Sequence, residues 1–439
     1  MPAIGQTHII KNPSTPVSPP LSKFPVDMTR VATIILGGGQ GVRLFPLTQS
    51  HCKPALSCGG RYRLIDIPIS NAINSGCFRI FILTQFLSNS LHQHVSSTYR
   101  FSSFSEGFVR LLSAEEKPQK KVWFQGTADA VRQSLDHFIE TPADYFLILS
   151  GDQLYHMDYR NMLSHALKTN ADLVISCLPV DTHSAKRMGI AKVDKNHFIT
   201  SFHEKPQSEQ ELLPLRMTKG RPEYLASMGI YLFKRQALFD LLNEDLREDF
   251  GKHLIPTQVA KGNVSAYTHE GYWEDIGTIA SFYDANIALT ERNPAFNCDN
   301  EKWRIFASPG SLTGPQVYDS HIDQAILCEG SVIDGATITR CIIGPRTIIK
   351  KGTSIDRSYI LGHDFYSPPV RDLHLPNCFE IGENCTIHHA IIDKHTSIGN
   401  NVQLINQDKL SHYDSELAYI RDGIIVIPRG VVIPDGFIL

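Results

Sequence analysis

The chain has 439 residues, 42% of them hydrophobic and 20% charged, and a formal net charge of -3; that length gives two or three domains with ample core, and that charge gives no reason to expect nucleic acid or an acidic membrane as a partner. No apolar run approaches the roughly 20 residues a membrane helix needs. The nine cysteines form no C-x-x-C pair, so neither a zinc site nor a disulfide framework is indicated; reduced thiols in a cytoplasmic protein are expected, with Cys378 and Cys385 flanking a short loop across which they could pair.

Residues 1–28 are rich in Pro, Ser and Thr, carry no acid before Asp27, and lack the apolar stretch of a secretory signal. They are expected to form a disordered tail, and an unstructured export or targeting role stays open. The strand Val31–Leu36 then empties into Gly37-Gly38-Gly39-Gln40-Gly41, followed by Arg43 and by Lys53-Pro54. Glycines let backbone N–H groups crowd around a polyanion, and the cations that follow neutralise it. The spacing is neither G-x-x-x-x-G-K-[ST] nor G-x-G-x-x-G. A plain glycine turn is the alternative, and Arg43 and Lys53 argue against it.

Short apolar runs over Ile80–Thr84, Tyr145–Ser150 and Leu173–Cys177 alternate with amphipathic stretches over Ser88–His94 and Asp129–Glu140. Such alternation predicts an open α/β sheet, mostly parallel, with ligands at the carboxyl ends of the strands. The glycine loop and Gly151-Asp152 both lie at such ends. After about residue 300 the texture changes to short β-branched runs broken by glycine. Apolar residues recur six apart at Val332 and Ile338, Ile342 and Ile348, Ile381 and Ile387, and Ile398 and Leu404. This is the pattern of a parallel β-helix, with a β-sandwich as the alternative, and Ser367–Phe379 reads as a loop inserted in it. The division predicted is a tail over 1–28, a catalytic α/β domain over 29–300 and a β-helix over 301–439.

Gly-Gly-Gly-x-Gly-x-Arg-Leu-x-Pro-Leu-Thr over residues 37–48, then Lys53-Pro54-Ala55 and Tyr62-Arg63-Leu64-Ile65-Asp66, resembles the sugar-phosphate nucleotidyltransferases, and among them the ADP-glucose pyrophosphorylase (glucose-1-phosphate adenylyltransferase) family. The resemblance runs from Thr29 to Leu439. It implies a Rossmann-like catalytic domain, a left-handed β-helix, a homotetramer, and transfer of AMP from ATP to glucose 1-phosphate with Mg²⁺. The attacking phosphate oxygen is already ionised, because a phosphate monoester has a second pKa near ~6. Such a site therefore needs placed cations and in-line alignment more than a general base.

On this resemblance Arg43, Lys53 and Asp152 are the catalytic residues, with Asp152 and Asp275 holding the metal. The bland readings are surface ion pairs for the cations and Asx-turn capping for Asp152. Phe124, Gly189, Glu204, Lys205 and Ser227 fall on the sugar-phosphate site, Lys205 within His203-Glu204-Lys205-Pro206. Leu36, Gly37, Gly38, Gly39, Gln85, Gln125, Gly126 and Thr127 fall on the nucleotide site. Gln85 and Gln125 are placed to pair with the adenine edge, and Gly126 and Thr127 open a helix whose free N–H groups could meet phosphate. Trp123 and Phe124 read equally as core.

One departure concerns control. Bacterial relatives carry a basic pair between Thr48 and Lys53, where this chain has Gln49-Ser50-His51-Cys52. Lys394 and Arg429 resemble positions where photosynthetic relatives bind 3-phosphoglycerate; ordinary solvated surface is the alternative. A related enzyme using another nucleotide or sugar, and a non-catalytic regulatory subunit, are the rival functions. The joint presence of Arg43, Lys53, Asp152, Lys205 and Asp275 weighs against the second.

Overall fold

The computed structural model describes residues 26–102, 104–115, 123–217, 223–308, 310–367 and 378–439. Most of the expected tail, and most of the loop expected over Ser367–Phe379, lie outside these. The last residues assigned to the tail already belong to the catalytic domain: Met28 is buried and Val26 packs against the core.

Nine strands form the catalytic sheet: β1 (Val31–Leu36), β2 (Arg79–Thr84), β3 (Phe108–Ser113), β4 (Tyr145–Ser150), β5 (Leu173–Val180), β6 (Gly189–Val193), β7 (Ile199–Glu204), β8 (Tyr224–Lys234) and β9 (Val264–Thr268). Their order is β7-β6-β8-β4-β1-β2-β3, with β5 also on β8 and β9 on β5. Pairing is parallel around β1, where β4, β1, β2 and β3 lie side by side, and antiparallel around the long β8.

The strands read as unbroken apolar runs because both faces are covered. Ile35, Ile82 and Leu149 enter one core, while Ile34, Phe81 and Ile148 enter another on the opposite face. Each such side chain contributes about 1.5–3 kcal/mol on burial. Register then fixes the chemistry's address. Leu36 pairs with Leu83 and with Ser150, Gly37 donates to the Leu83 carbonyl (2.9 Å), and Gly151 donates to the Leu36 carbonyl (3.0 Å). The glycine loop, Gln85 and Asp152 thus leave the sheet at one edge.

Helix boundaries differ from the sequence pattern. The stretch expected over Ser88–His94 runs on to Asn89–Thr98, and Asp129–Glu140 is two helices, Thr127–Gln133 and Leu135–Ile139. The break falls at Ser134, whose hydroxyl donates back to the Ala130 carbonyl at 2.9 Å.

The segment after Asn300, where the texture changes, still lies on the catalytic domain. The Trp303 indole donates to Asn71 Oδ1 at 2.7 Å, and Phe306 N donates to the Ser70 hydroxyl at 2.8 Å. From Gln316 onward short strands stack in three mostly parallel faces as a β-helix. Its core is columns of isoleucine: Ile333–Ile349–Ile381–Ile398, Ile338–Ile355–Ile387 and Ile343–Ile360–Ile392. The six-residue spacing locates the rungs but misplaces some side chains by one. Ile333 and Ile349 point inward, while Val332 and Ile348 stay half-buried.

Ile342 differs for another reason. It begins an outward column, Ile342–Tyr359–Ile391–Val426, that joins the catalytic domain's core. Tyr359 stacks on Phe282 at 5.9 Å, and its hydroxyl accepts from Gly60 N at 3.2 Å. The corners adopt left-handed backbone at intervals of five or six residues. Glycine supplies only some of them, and Arg340, Arg346 and Arg357 supply others. Cys378 and Cys385 are free thiols, as are the other seven cysteines.

Candidate active site

Just past the glycines, Val42–Leu44 forms a single tight turn behind Gly41, whose carbonyl accepts from the Thr48 hydroxyl at 3.0 Å. Leu44 is fully buried and anchors the turn, leaving Arg43 exposed. Gly39 faces open space, and Gly38 lies against the base of Gln85. Arg43 reaches across to Gly277. A Cβ there would sit 3.3 Å from Arg43 Nη2 and 3.3 Å from Asp275 Oδ2, so this glycine leaves room for both side chains on one spot.

Asp275 arrives beside Asp152 by strand pairing. Trp273–Asp275 runs antiparallel to Gln153–Tyr155, and Ile276 N donates to the Asp152 carbonyl at 3.2 Å. Between the two carboxylates lies Lys53, its side chain 11% exposed, with Nζ 2.6 Å from Asp152 Oδ2 and 3.7 Å from Asp275 Oδ1. Burial works against the Lys53 ammonium, but the two aspartates outweigh it and hold its pKa above the ordinary value. Burial, then the charge of Asp152, pushes the Asp275 carboxyl up against the pull of Lys53 and Arg43. Its side chain keeps nearly half its surface open to the crevice even so.

Two carboxylates facing each other across a cation suit a hard divalent ion, which takes one or two carboxylates and completes its shell with substrate oxygens and water. Among the described residues no three His, Cys, Asp or Glu side chains converge on one point. Asp152 and Asp275 are the carboxylates here that could hold such an ion together with substrate oxygens.

On the other side of the crevice β7 ends in Glu204, and Lys205 follows with a left-handed φ of 50°. Lys205 N donates to the Met188 carbonyl at 3.1 Å, and Nζ lies 3.5 Å from Glu204 Oε1. Burial pushes the Glu204 carboxyl up and Lys205 offsets part of that. Gly189 leaves the space that Glu204 and the Phe202 ring occupy, since a Cβ there would collide with the ring and lie 2.7 Å from Glu204 Oε2. Gly251, which the sequence reading passed over, does the same from the opposite side, where a Cβ would lie 3.0 Å from that oxygen.

The Ser227 hydroxyl accepts from Gly229 N at 3.2 Å. Gln153 binds this bend to the metal-side strand: its Nε2 donates to the Met228 carbonyl (2.8 Å) and its Oε1 accepts from the Trp273 indole (3.1 Å). Only its adjacency to Asp152 could have flagged Gln153.

Three groups expected at the nucleotide site have partners within the chain. Gln85 is committed to the main chain of Phe124, accepting from its N–H at 2.6 Å and donating to its carbonyl at 3.3 Å, so it braces that segment. The Gln125 amide donates to the Trp123 carbonyl at 2.7 Å. Of the N–H groups in the first turn of the helix that Gly126 and Thr127 open, those of Ala128 and Asp129 donate to the Glu248 carbonyl at 2.8 and 3.2 Å. Gly126 is glycine because a Cβ would collide with that carbonyl, and the Thr127 hydroxyl accepts from Phe250 N at 3.0 Å. Phe124 is half-buried and the Trp123 ring stacks on Phe86 at 5.5 Å.

Lys394 and Arg429 lie outside this crevice. Both bind Asp364, with Nζ at 2.7 Å from Oδ1 and Nη2 at 3.2 Å from Oδ2, and His395 Nε2 joins at 2.9 Å. His51, from the glycine-loop side of the catalytic domain, lies in the same electrostatic neighbourhood. Burial first, then Arg429, Arg63 and Lys394, push its pKa down to about 4, so it is neutral at pH 7. Among the described residues, its Nδ1 and that of His395 are buried without a partner. A hollow of about 510 Å³, lined by Arg30, Arg79, Asp144 and Arg235 among others, lies at the opposite, amino-terminal edge of the sheet, away from all these residues.

Residues 32–292 match the family described as Nucleotidyl transferase, and residues 311–438 match the GLGC left-handed parallel beta-helix domain. The first match spans the sheet and every residue of the crevice; the second spans the stacked rungs. No helix among the described residues is long and apolar enough to cross a membrane. With more than half its length in the first family and that β-helix following, the chain belongs to the nucleotidyl transferases, in the combination that marks the ADP-glucose pyrophosphorylase type of sugar-phosphate nucleotidyltransferase.

Proposed function

We propose that this protein transfers AMP from ATP to glucose 1-phosphate, releasing pyrophosphate and forming ADP-glucose, the committed step of glycogen or starch synthesis. The observation that carries this reading is the crevice in which Lys53 bridges Asp152 and Asp275, with Arg43 beside Asp275 and with Lys205 close enough for Asp275 to feel its charge. In this reading the glycine loop from Leu36 to Gly39 accommodates the triphosphate. Arg43 holds the β- and γ-phosphates through its planar fork and stabilises pyrophosphate as it leaves. Lys205 binds the phosphate of the sugar phosphate, and Glu204, flanked by Gly189 and Gly251, accepts from a sugar hydroxyl. Ser227 and Phe124 bound the sugar side.

Lys53, released from Asp152 by the arriving phosphates, offers its charge to the transferring phosphoryl group. Asp152 and Asp275 would hold Mg²⁺, which when bound would supply neutralising charge for the substrates' phosphates. The remaining contribution is alignment, since the attacking oxygen arrives ionised. Pyrophosphate release from the purified protein with ATP, glucose 1-phosphate and Mg²⁺ tests the reading. A protein that binds both substrates and releases none would be the non-catalytic regulatory subunit instead.

A regulatory role for Lys394 and Arg429 belongs to the same proposal. The Asp364 cluster gathers two cations and two histidines where the β-helix meets the 49–52 loop, and two buried imidazole nitrogens there have no partner among the described residues. A small phosphorylated acid such as 3-phosphoglycerate would compete with Asp364 for both cations. We also propose that the assembly is a homotetramer and that the protein works in the cytoplasm.

A further inference from the structure

The β-helix leaves its parallel pattern in one place that touches the catalytic machinery. His412–Asp414, Tyr419–Arg421 and Ile424–Ile427 form an antiparallel ribbon, with Tyr419 opposite Val426 and Arg421 opposite Ile424. Tyr419 packs with the catalytic domain's core. Its ring meets Phe45 edge-on, with centroids 5.2 Å apart and planes at 88°. The Arg421 guanidinium lies 5.3 Å from the Tyr419 ring and 6.0 Å from the Phe45 ring. That guanidinium is itself fixed, donating to the carbonyls of Tyr413 (3.1 Å) and Ile420 (2.9 Å) and pairing with Asp414 Oδ1 at 2.7 Å.

Phe45 closes the turn that carries Arg43: its N–H donates to the Val42 carbonyl at 3.2 Å. Leu44 is the buried side chain of this turn; Val42 is 71% exposed and Arg43 is exposed too. Beside it a hollow of about 420 Å³ opens between the domains, lined by Val42, Arg43, Phe45 and Thr278 on one side and Arg421 and Asp422 on the other. The turn therefore has space beside it, and Phe45 and Arg421, each in contact with the Tyr419 ring, face that space from the two domains.

We propose that Tyr419 and Arg421 are positioning residues for the nucleotide-phosphate loop, so that the β-helix is part of the machinery that aims Arg43. This rests on the reading of Arg43 as the ligand of the leaving pyrophosphate. It does not rest on which base the nucleotide carries. A rotation of the turn would move the guanidinium away from Asp275, and misplacement by about 1 Å is enough to cost large factors in a phosphate-aligning site.

The test uses the full chain and inorganic pyrophosphate with Mg²⁺ as probe, measured by titration calorimetry. Steady-state constants for both substrates and a melting curve accompany it. Tyr419→Ala, which loses the edge-on ring pair, should weaken pyrophosphate binding about tenfold. The KM for the nucleotide should rise in proportion, with the KM for the sugar phosphate unchanged. Tyr419→Phe, which keeps the ring, should behave as wild type. Arg421→Met keeps the stem, removes the charge and serves if Tyr419→Ala fails to fold; a several-fold weakening is expected.

Wild-type pyrophosphate affinity in folded Tyr419→Ala or Arg421→Met would overturn the proposal, as would equal rises in both KM values or failure of Tyr419→Phe to rescue. Wild-type protein that binds pyrophosphate yet turns over no ATP would refute adenylyl transfer alone. Wild-type protein without pyrophosphate affinity would overturn the Arg43 reading and this proposal with it.

Discussion

Asp152→Asn isolates charge from shape. The carboxylate lies 2.6 Å from the Lys53 ammonium and faces Asp275 across it, at the end of a strand that its backbone leaves unchanged. Two unit charges about 4 Å apart at an effective dielectric near 20 interact by about 4 kcal/mol. If that attraction to the metal and the developing phosphoryl charge is realised mainly in the transition state, kcat falls on the order of 10³-fold. The fold should change little, because two effects oppose. Lys53 loses one partner but keeps Asp275 at 3.7 Å, while Asp275 loses the like charge that raised its pKa. The main-chain bond from Ile276 N to the Asp152 carbonyl is untouched. Pyrophosphate release at saturating substrates gives kcat, and a thermal melt reports the fold. A kcat within a few-fold of wild type would remove Asp152 from the chemistry. A loss matched by collapse of the melting temperature would make it structural.

Lys205→Ala should raise the KM for glucose 1-phosphate tenfold or more and leave the KM for ATP nearly unchanged, because contact with a phosphate already present in the ground state is mostly uniform binding; equal rises in both would assign Lys205 to the triphosphate or the fold. Asp393 is buried and its pKa is held up at about 6 from 3.8. The folded chain therefore binds a proton there that the unfolded chain releases, so this group's contribution to stability falls as pH rises from about 4 to 6 and stays lowered above that. Asp393→Asn should be more stable than wild type at pH 7 by up to about 3 kcal/mol, with the gap closing toward pH 4; urea midpoints that coincide at pH 7, or a gap independent of pH, would refute this. Fructose 1,6-bisphosphate should activate weakly, because His51 is neutral and Ser50 carries no charge. Activation by 3-phosphoglycerate, titrated at subsaturating ATP, should be lost in Lys394→Ala; strong fructose bisphosphate stimulation, or a 3-phosphoglycerate response that survives, contradicts that site.

Features written in contiguous residues were legible in the sequence. The β1 run, its glycine loop and the strand-end Gly151-Asp152 each announce themselves locally, and parallel register brings them to one edge without further information. What stayed hidden depended on distant backbone. Nothing near Gly126 announced the Glu248 carbonyl, far along the chain, that a Cβ there would strike and that binds the N–H groups of Ala128 and Asp129. That Gln85 holds the Phe124 main chain was likewise not visible in its own neighbours. In the β-helix a two-residue strand offers adjacent apolar positions, so spacing alone could not tell Ile333 from Val332, and an outward column buried against another domain looks the same as an inward one. Asp364 lies just before the stretch that interrupts the repeat, and nothing local tied it to Lys394 and Arg429.

The measurement closest to the central claim is the identity of the product. Wild-type protein supplied with glucose 1-phosphate, Mg²⁺ and an equimolar mixture of ATP, UTP and GTP should form predominantly ADP-glucose, resolved by mass, with one pyrophosphate released per sugar nucleotide. Predominant UDP- or GDP-glucose would contradict adenylyl transfer while leaving the family intact, and no sugar nucleotide at all would contradict the catalytic reading of Arg43, Lys53 and Asp152.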